Sequence, residues 1–146
     1  MIDNKKVVYI DGVFDLFHRG HLESIIKAKN ALNDPNNTYL IVGVVSDEGC
    51  ASYKRNPIVN EYDRVEIVKH IVGVDKVIFP CPLVVSLDFV KSNNIDLVVH
   101  GFANDADREK QKEFFAEIQD NGYFQEIEYY SKTSTTDLIN KIKLNY

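Results

Sequence analysis

At 146 residues, 45% hydrophobic and 27% charged, the chain has the size and balance of one globular domain, enough for a single core. A net charge of −5 argues against nucleic acid or an anionic membrane as a bulk electrostatic partner, though it leaves room for a local basic site. Cys50 and Cys81 form no CxxC or metal pattern and read as reduced, partly buried thiols, so a cytoplasmic setting is expected; no signal peptide is expected from the opening MIDNKK, and no apolar run nears the roughly twenty residues of a membrane span.

Residues 7–11 (VVYID) are a short apolar, β-branched run, which predicts a buried strand. Residues 21–32 place Leu22, Ile25, Ile26, Lys29 and Leu32 at helical spacing, with the apolar members on one buried face. Asn36 and Asn37 mark a turn before TYLIVGVV, the strongest strand signal in the chain. Asn60 predicts the cap of a helix over 61–72, with Asp63 completing a capping box and Val65, Ile67, Val68 and Ile71 on its apolar side. KVIF at 76–79 predicts a strand stopped by Pro80 and Pro82. A helix over 86–92 and a strand over 96–100 (DLVVH) follow. The charged stretch from Asp105 to Asp120 predicts one helix ending at Gly122. FQEIEYY predicts a fifth strand. The last helix begins near Ser134 or Thr135 and turns Leu138, Ile139 and Ile142 inward.

Strands alternating with helices predict an α/β, doubly wound, Rossmann-like fold: a five-stranded, mainly parallel sheet in a single domain. Ligands of such sheets sit beyond the carboxyl ends of the strands, where strand order reverses. The segment at the end of the first strand is DGVFDLFHRGH, residues 11–21. Gly12 lets the backbone turn and approach a ligand. His18 and His21 flank Gly20 at the start of a helix, where free N–H groups and the helix dipole favour an anion. Two imidazoles and a helix start suit phosphate oxygens. Surface or capping roles are the plain alternative, and no nearby Cys or third His completes a zinc set.

DGVFDLFHRGH resembles the signature of the cytidylyltransferase family, whose members act on phosphocholine, phosphoethanolamine and glycerol 3-phosphate, within the wider HxGH nucleotidyltransferases. The resemblance continues in order through TYLIVGVVSDE, Lys54, NEYDRVEIV, VDKV, IDLVVHG and STTDLI, from residue 7 to about 143. It implies transfer of CMP from CTP to a small phosphoalcohol, with release of pyrophosphate. His18, His21 and Lys54 would be the catalytic residues. Asp11, Gly12, Val13, Phe14, Asp15 and Gly20 would line the nucleotide pocket, although Phe14 could be plain core and Asp15 could cap the next turn. Arg64 would bind phosphate, or pair with Asp63 or Glu61 at the surface. His100 and Gly101 would face the nucleotide or the alcohol, or His100 would bond a neighbouring carbonyl. Lys132, Thr133, Ser134, Thr135 and Thr136 would hold the triphosphate, the hydroxyl run doubling as an N-cap. Mg²⁺ is expected with CTP, carried by phosphates and water with no protein ligand.

The sequence also departs from the pattern. Tyr129 stands where the family has an arginine and Lys132 where it has a glycine, so Lys132 either restores the positive charge or sits exposed. Leu83 replaces a tryptophan of the phosphocholine enzymes, which inclines the acceptor toward phosphoethanolamine. A homodimer through 72–77 is expected. With the chain ending at Tyr146, no membrane-binding tail is expected. The rival readings are a glycerol-3-phosphate enzyme, an HxGH adenylyltransferase, and a catalytically weakened nucleotide-binding regulator.

Overall fold

A computed structural model describes residues 4–146. Five strands, β1 (Lys6–Gly12), β2 (Thr38–Val44), β3 (Lys76–Ile78), β4 (Leu97–His100) and β5 (Phe124–Glu126), form one sheet in the order β3-β2-β1-β4-β5. Every pairing is parallel, so the expected "mainly parallel" sheet is wholly so. Seven α-helices are found among the described residues: α1 (Arg19–Lys29), α2 (Asp47–Tyr53), α3 (Glu61–Lys69), α4 (Leu87–Ser92), α5 (Asp105–Lys110), α6 (Lys112–Asp120) and α7 (Thr135–Asn145).

A parallel sheet covered on both faces needs strands apolar on both sides, which is why β1 and β2 read as continuous apolar runs. Val8, Ile10, Leu40, Val42 and Val44 pack on Ile25 and Ala28 of α1 and Val68 of α3. On the other face Val7, Tyr9, Ile41 and Val98 pack on Val90 of α4 and on Phe115 and Ile118 of α6. Burying a side chain of this kind is worth about 1.5–3 kcal/mol. Helices as short as the six-residue α4 are marginal alone, so this packing holds them in place.

The chain lays β2 and β3 outward on one side of β1, then crosses back to place β4 and β5 on the other. Strand order therefore reverses between β1 and β4. The crevice at their carboxyl ends is where Asp11-Gly12 and His100-Gly101 lie.

Several local expectations are corrected. α2 lies where a loop was expected: Ser46 caps it by accepting from Gly49 N, and Asp47 and Glu48 fill its first turn. The single helix over 105–120 breaks at the buried Gln111, so α6 inserts Phe115 and Ile118 in the core while α5 buries nothing. The fifth strand stops at Glu126 instead of 130, because the chain beyond it leaves the sheet to border the crevice. α1 starts two residues early, and Ile26 and Leu32 are exposed instead of buried; on α3 Ile67 is exposed too, and Arg64 takes a core position. α7 does begin at Thr135 with Ser134 as cap, yet it buries no residue fully and Ile142 is exposed.

Candidate active site

The loop from β1 to α1 is held in an uncommon backbone shape. Phe14 and Leu16 both adopt positive φ, 57° and 49°, a region that ordinary side chains enter at a cost. Two anchors hold it there. The Asp15 carboxylate accepts from the backbone N–H groups of Ile58 and Val59, both at 2.8 Å, and the Asp15 carbonyl accepts from Thr135 Oγ1 at 3.1 Å. Asp15 thus ties three segments together instead of capping the next turn. Phe14 is buried in the core, and its ring meets Phe17 and His21.

His18 is the N-cap of α1. Its Nδ1 accepts from Gly20 N at 2.9 Å, and its own N–H donates to His21 Nδ1 at 3.1 Å. This is a capping box built from two histidines. A backbone N–H can only donate, so both Nδ1 atoms must be acceptors, and each neutral ring carries its proton on Nε2. The His18 Nε2–H points to Thr135 Oγ1, 3.2 Å away, and the ring centroids of His18 and His21 are 3.9 Å apart. Gly20 has no room for a side chain: a Cβ there would lie 2.7 Å from His18 Cε1 and 3.0 Å from the Thr133 carbonyl. The starts of α1 and α7 therefore meet.

Desolvation lowers the pKa of His18, and it pushes that of His21 down to about 3, helped by His18 and Lys54. Both rings are neutral donors at pH 7, so they reach phosphate oxygens without adding charge. The sign for stability follows. Unfolding restores His21 to its ordinary pKa near 6.5, so between about pH 3 and 6.5 the unfolded chain binds the extra proton. We expect the melting temperature to fall as pH drops through that window, and His21→Gln to remove part of the slope, measured by thermal melts from pH 4 to 8.

These groups border a cavity of about 600 Å³ at the strand ends. Of the residues expected at the site, Asp11 to Asp15, His18, Gly20, His21, Lys54, His100, Gly101 and Ser134 to Thr136 all line it. Three do not. Arg64 is fully buried beside the loop: its guanidinium donates to the carbonyls of Val13, Val45 and Val59 and pairs with Asp47 at 2.6 Å. It is neither a free phosphate ligand nor a surface partner of Asp63 or Glu61. Lys132 is exposed, the Thr133 carbonyl lies against Gly20 of α1, and neither residue lines the cavity.

Lys54 ends α2 with its ammonium 5.7 Å from the Tyr53 ring centre. Desolvation lowers its pKa; Cys50 and Asp107 oppose this, and the like charges of Arg55 and Lys110 push the same way as burial. At the cavity floor His100 Nδ1 lies 3.5 Å from an Asp11 carboxylate oxygen, so its neighbour is a carboxylate and not the carbonyl expected as the plain alternative. The His100 ring packs on Phe102 and Phe115. The sequence reading missed Tyr53, Arg55, Asp107, Lys110 and Tyr130 as lining residues. The unrecognised α2 hid Tyr53, and the assumed straight helix hid the turn that brings Asp107 and Lys110 to the mouth. Together the cavity offers neutral N–H donors, helix N–H groups, cations, and the Asp11 carboxylate beside the His100 ring.

The family model described as "Cytidylyltransferase-like" matches residues 9–141. The chain belongs to the cytidylyltransferase-like family. It is 36% identical over 139 residues to choline-phosphate cytidylyltransferase A of Mus musculus, covering 95% of this chain and 37% of the mouse protein. Choline-phosphate cytidylyltransferase 2 of Arabidopsis thaliana is 35% identical, covering 95% of this chain and 45% of the plant protein. Ethanolamine-phosphate cytidylyltransferase of Mus musculus is 33% identical over 138 residues, covering 94% and 32%. The chain thus spans less than half the length of these relatives. A solved lipopolysaccharide core biosynthesis protein from Thermoplasma volcanium shares the fold, with a TM-score of 0.66 at 23% identity over 86% of this chain and 98% of that one.

Proposed function

We propose that this cytidylyltransferase-like chain transfers CMP from CTP to a phosphorylated amino alcohol. The acceptor's phosphate oxygen forms a bond to the α-phosphorus, the bond from that phosphorus to the bridging oxygen breaks, and pyrophosphate leaves with the electron pair. The acceptor is already an anion, so positioning and charge stabilisation are the protein's task. The observation that carries the reading is the meeting of two Nε2–H imidazoles with the start of α7 in one cleft. Those donors suit the phosphate oxygens around the reacting phosphorus, and Lys54 supplies a nearby cation. The partly buried Asp11 carboxylate, which like Tyr53 lines the cleft, suits the acceptor's ammonium. Leu83 at this end favours phosphoethanolamine over phosphocholine, since an aromatic cage for three methyl groups is less complete.

Mg²⁺ is part of the proposal. Asp15 and Asp107 already give both oxygens to N–H donors, so the ion would be held by phosphates and water, lowering the charge that the donors must meet. A homodimer is proposed too, through the 72–77 segment, where Val72 is exposed. A cytoplasmic setting is supported by two buried cysteines without a disulfide. No helix among the described residues is long and apolar enough to cross a membrane. The test is pyrophosphate release with CTP or ATP and each of phosphoethanolamine, phosphocholine and glycerol 3-phosphate. We expect CTP with phosphoethanolamine to give the highest kcat/KM and EDTA to stop release. No product from any phosphoalcohol would overturn the reading.

A further inference from the structure

The cleft holds three cations, Lys54, Arg55 and Lys110, and only Lys54 has been given a role so far. Among the described residues, the ion pairs engage Arg19, Lys29, Arg64, Lys69 and Arg108, and none of these three. The carboxylate that shares their end of the cleft, Asp107, gives its oxygens to Ala103 N at 3.0 Å and Gln111 Nε2 at 2.8 Å. Arg55 is the least exposed of the three. Its side chain is partly buried, and its Nε is wholly buried with no hydrogen-bond partner. A buried donor of this kind costs stability unless something fills it. On a chain of net charge −5, three unpaired cations bordering one cavity point to an anionic ligand.

We propose that Arg55 is a polyphosphate-binding residue of the cleft, offering its planar fork to the pyrophosphate portion of the nucleotide and to pyrophosphate itself, with exposed Lys110 adding charge at the mouth. Arg55 then supplies, from the loop after α2, the cation that Tyr129 and Lys132 do not bring to the cavity. Naming the ligand as part of CTP rests on the proposed function, whereas pyrophosphate binding does not.

The experiment is calorimetric titration of the unliganded protein with magnesium pyrophosphate, beside KM for CTP. Arg55→Gln should weaken pyrophosphate binding by about 10- to 100-fold and raise KM for CTP in parallel. Arg55→Lys should recover part of the loss, since it restores charge without the fork. Lys110→Gln, on an exposed helix end that cannot unfold the chain, should lose a few-fold. Pyrophosphate affinity within twofold of the parent in Arg55→Gln, or no measurable binding by the parent, overturns the proposal. A chain that turned over no phosphoalcohol yet bound pyrophosphate through Arg55 would overturn the acceptor reading and uphold this one.

Discussion

His18→Ala should lose about two to three powers of ten in kcat while staying folded, because it removes one preorganised donor at the point where phosphate charge builds. The same substitution also removes a helix cap. His18 Nδ1 accepts from Gly20 N, and losing such a cap costs about 1 kcal/mol. That is a fall of about 2–4 °C in melting temperature for a chain of this size. The two effects come from opposite sides of one ring, so they can be separated. Asparagine is a good N-cap but carries no donor that reaches where Nε2 stands. His18→Asn should therefore melt near the parent and still lose the same two to three powers of ten. Pyrophosphate release and thermal melts on both variants decide it. Near-parental turnover in His18→Asn would show that the ring serves α1 and not phosphate.

The parallel, doubly wound sheet and the place of the crevice were legible because β1 and β2 read as continuous apolar runs that alternate with helices, whereas the order β3-β2-β1-β4-β5 came only from the coordinates. What stayed hidden depended on distant partners. Ser46-Asp47-Glu48 carries a proper cap and acidic first turn, yet α2 buries only Cys50, so no apolar stripe announced it. FQEIEYY alternates like a strand, but only Phe124–Glu126 have β4 to pair with; Ile127 instead packs in the core and Glu128 O accepts from Lys27 Nζ. Gln111 breaks one helical run into two because Phe115 must reach a core whose direction the local sequence does not carry. At the site, histidine spacing predicted the meeting of rings and helix start. Only coordinates could show that each Nδ1 is spent on a backbone N–H. Only they could show that a neighbour of the familiar lysine, Arg55, is the unpaired guanidinium.

Arg64 is where residue type misled most, and its substitution should have the largest effect on stability. The resemblance implies that it is a phosphate ligand, with a surface pair to Asp63 or Glu61 as the alternative. Here it is fully buried, and three of its four hydrogen bonds go to carbonyls of separate segments: Val59 before α3, Val13 in the histidine loop and Val45 after β2. The fourth goes to Asp47, whose side chain is 43% exposed and still partly solvated. The guanidinium is thus held chiefly by carbonyl dipoles, and removing it strands those carbonyls without water. Arg64→Met keeps much of the volume and should still cost about 3–5 kcal/mol, as the breaking of a buried ionic network does. At about 2–4 °C per kcal/mol, melting should fall by roughly 6–20 °C. Arg64→Lys should recover little, since one ammonium cannot span carbonyls arranged for a planar fork. Assayed well below the melting point, the folded fraction of Arg64→Met should keep KM for CTP within a few-fold, because the side chain lies outside the cleft. A direct phosphate ligand would give the reverse pattern: unchanged melting and a KM raised by tenfold or more.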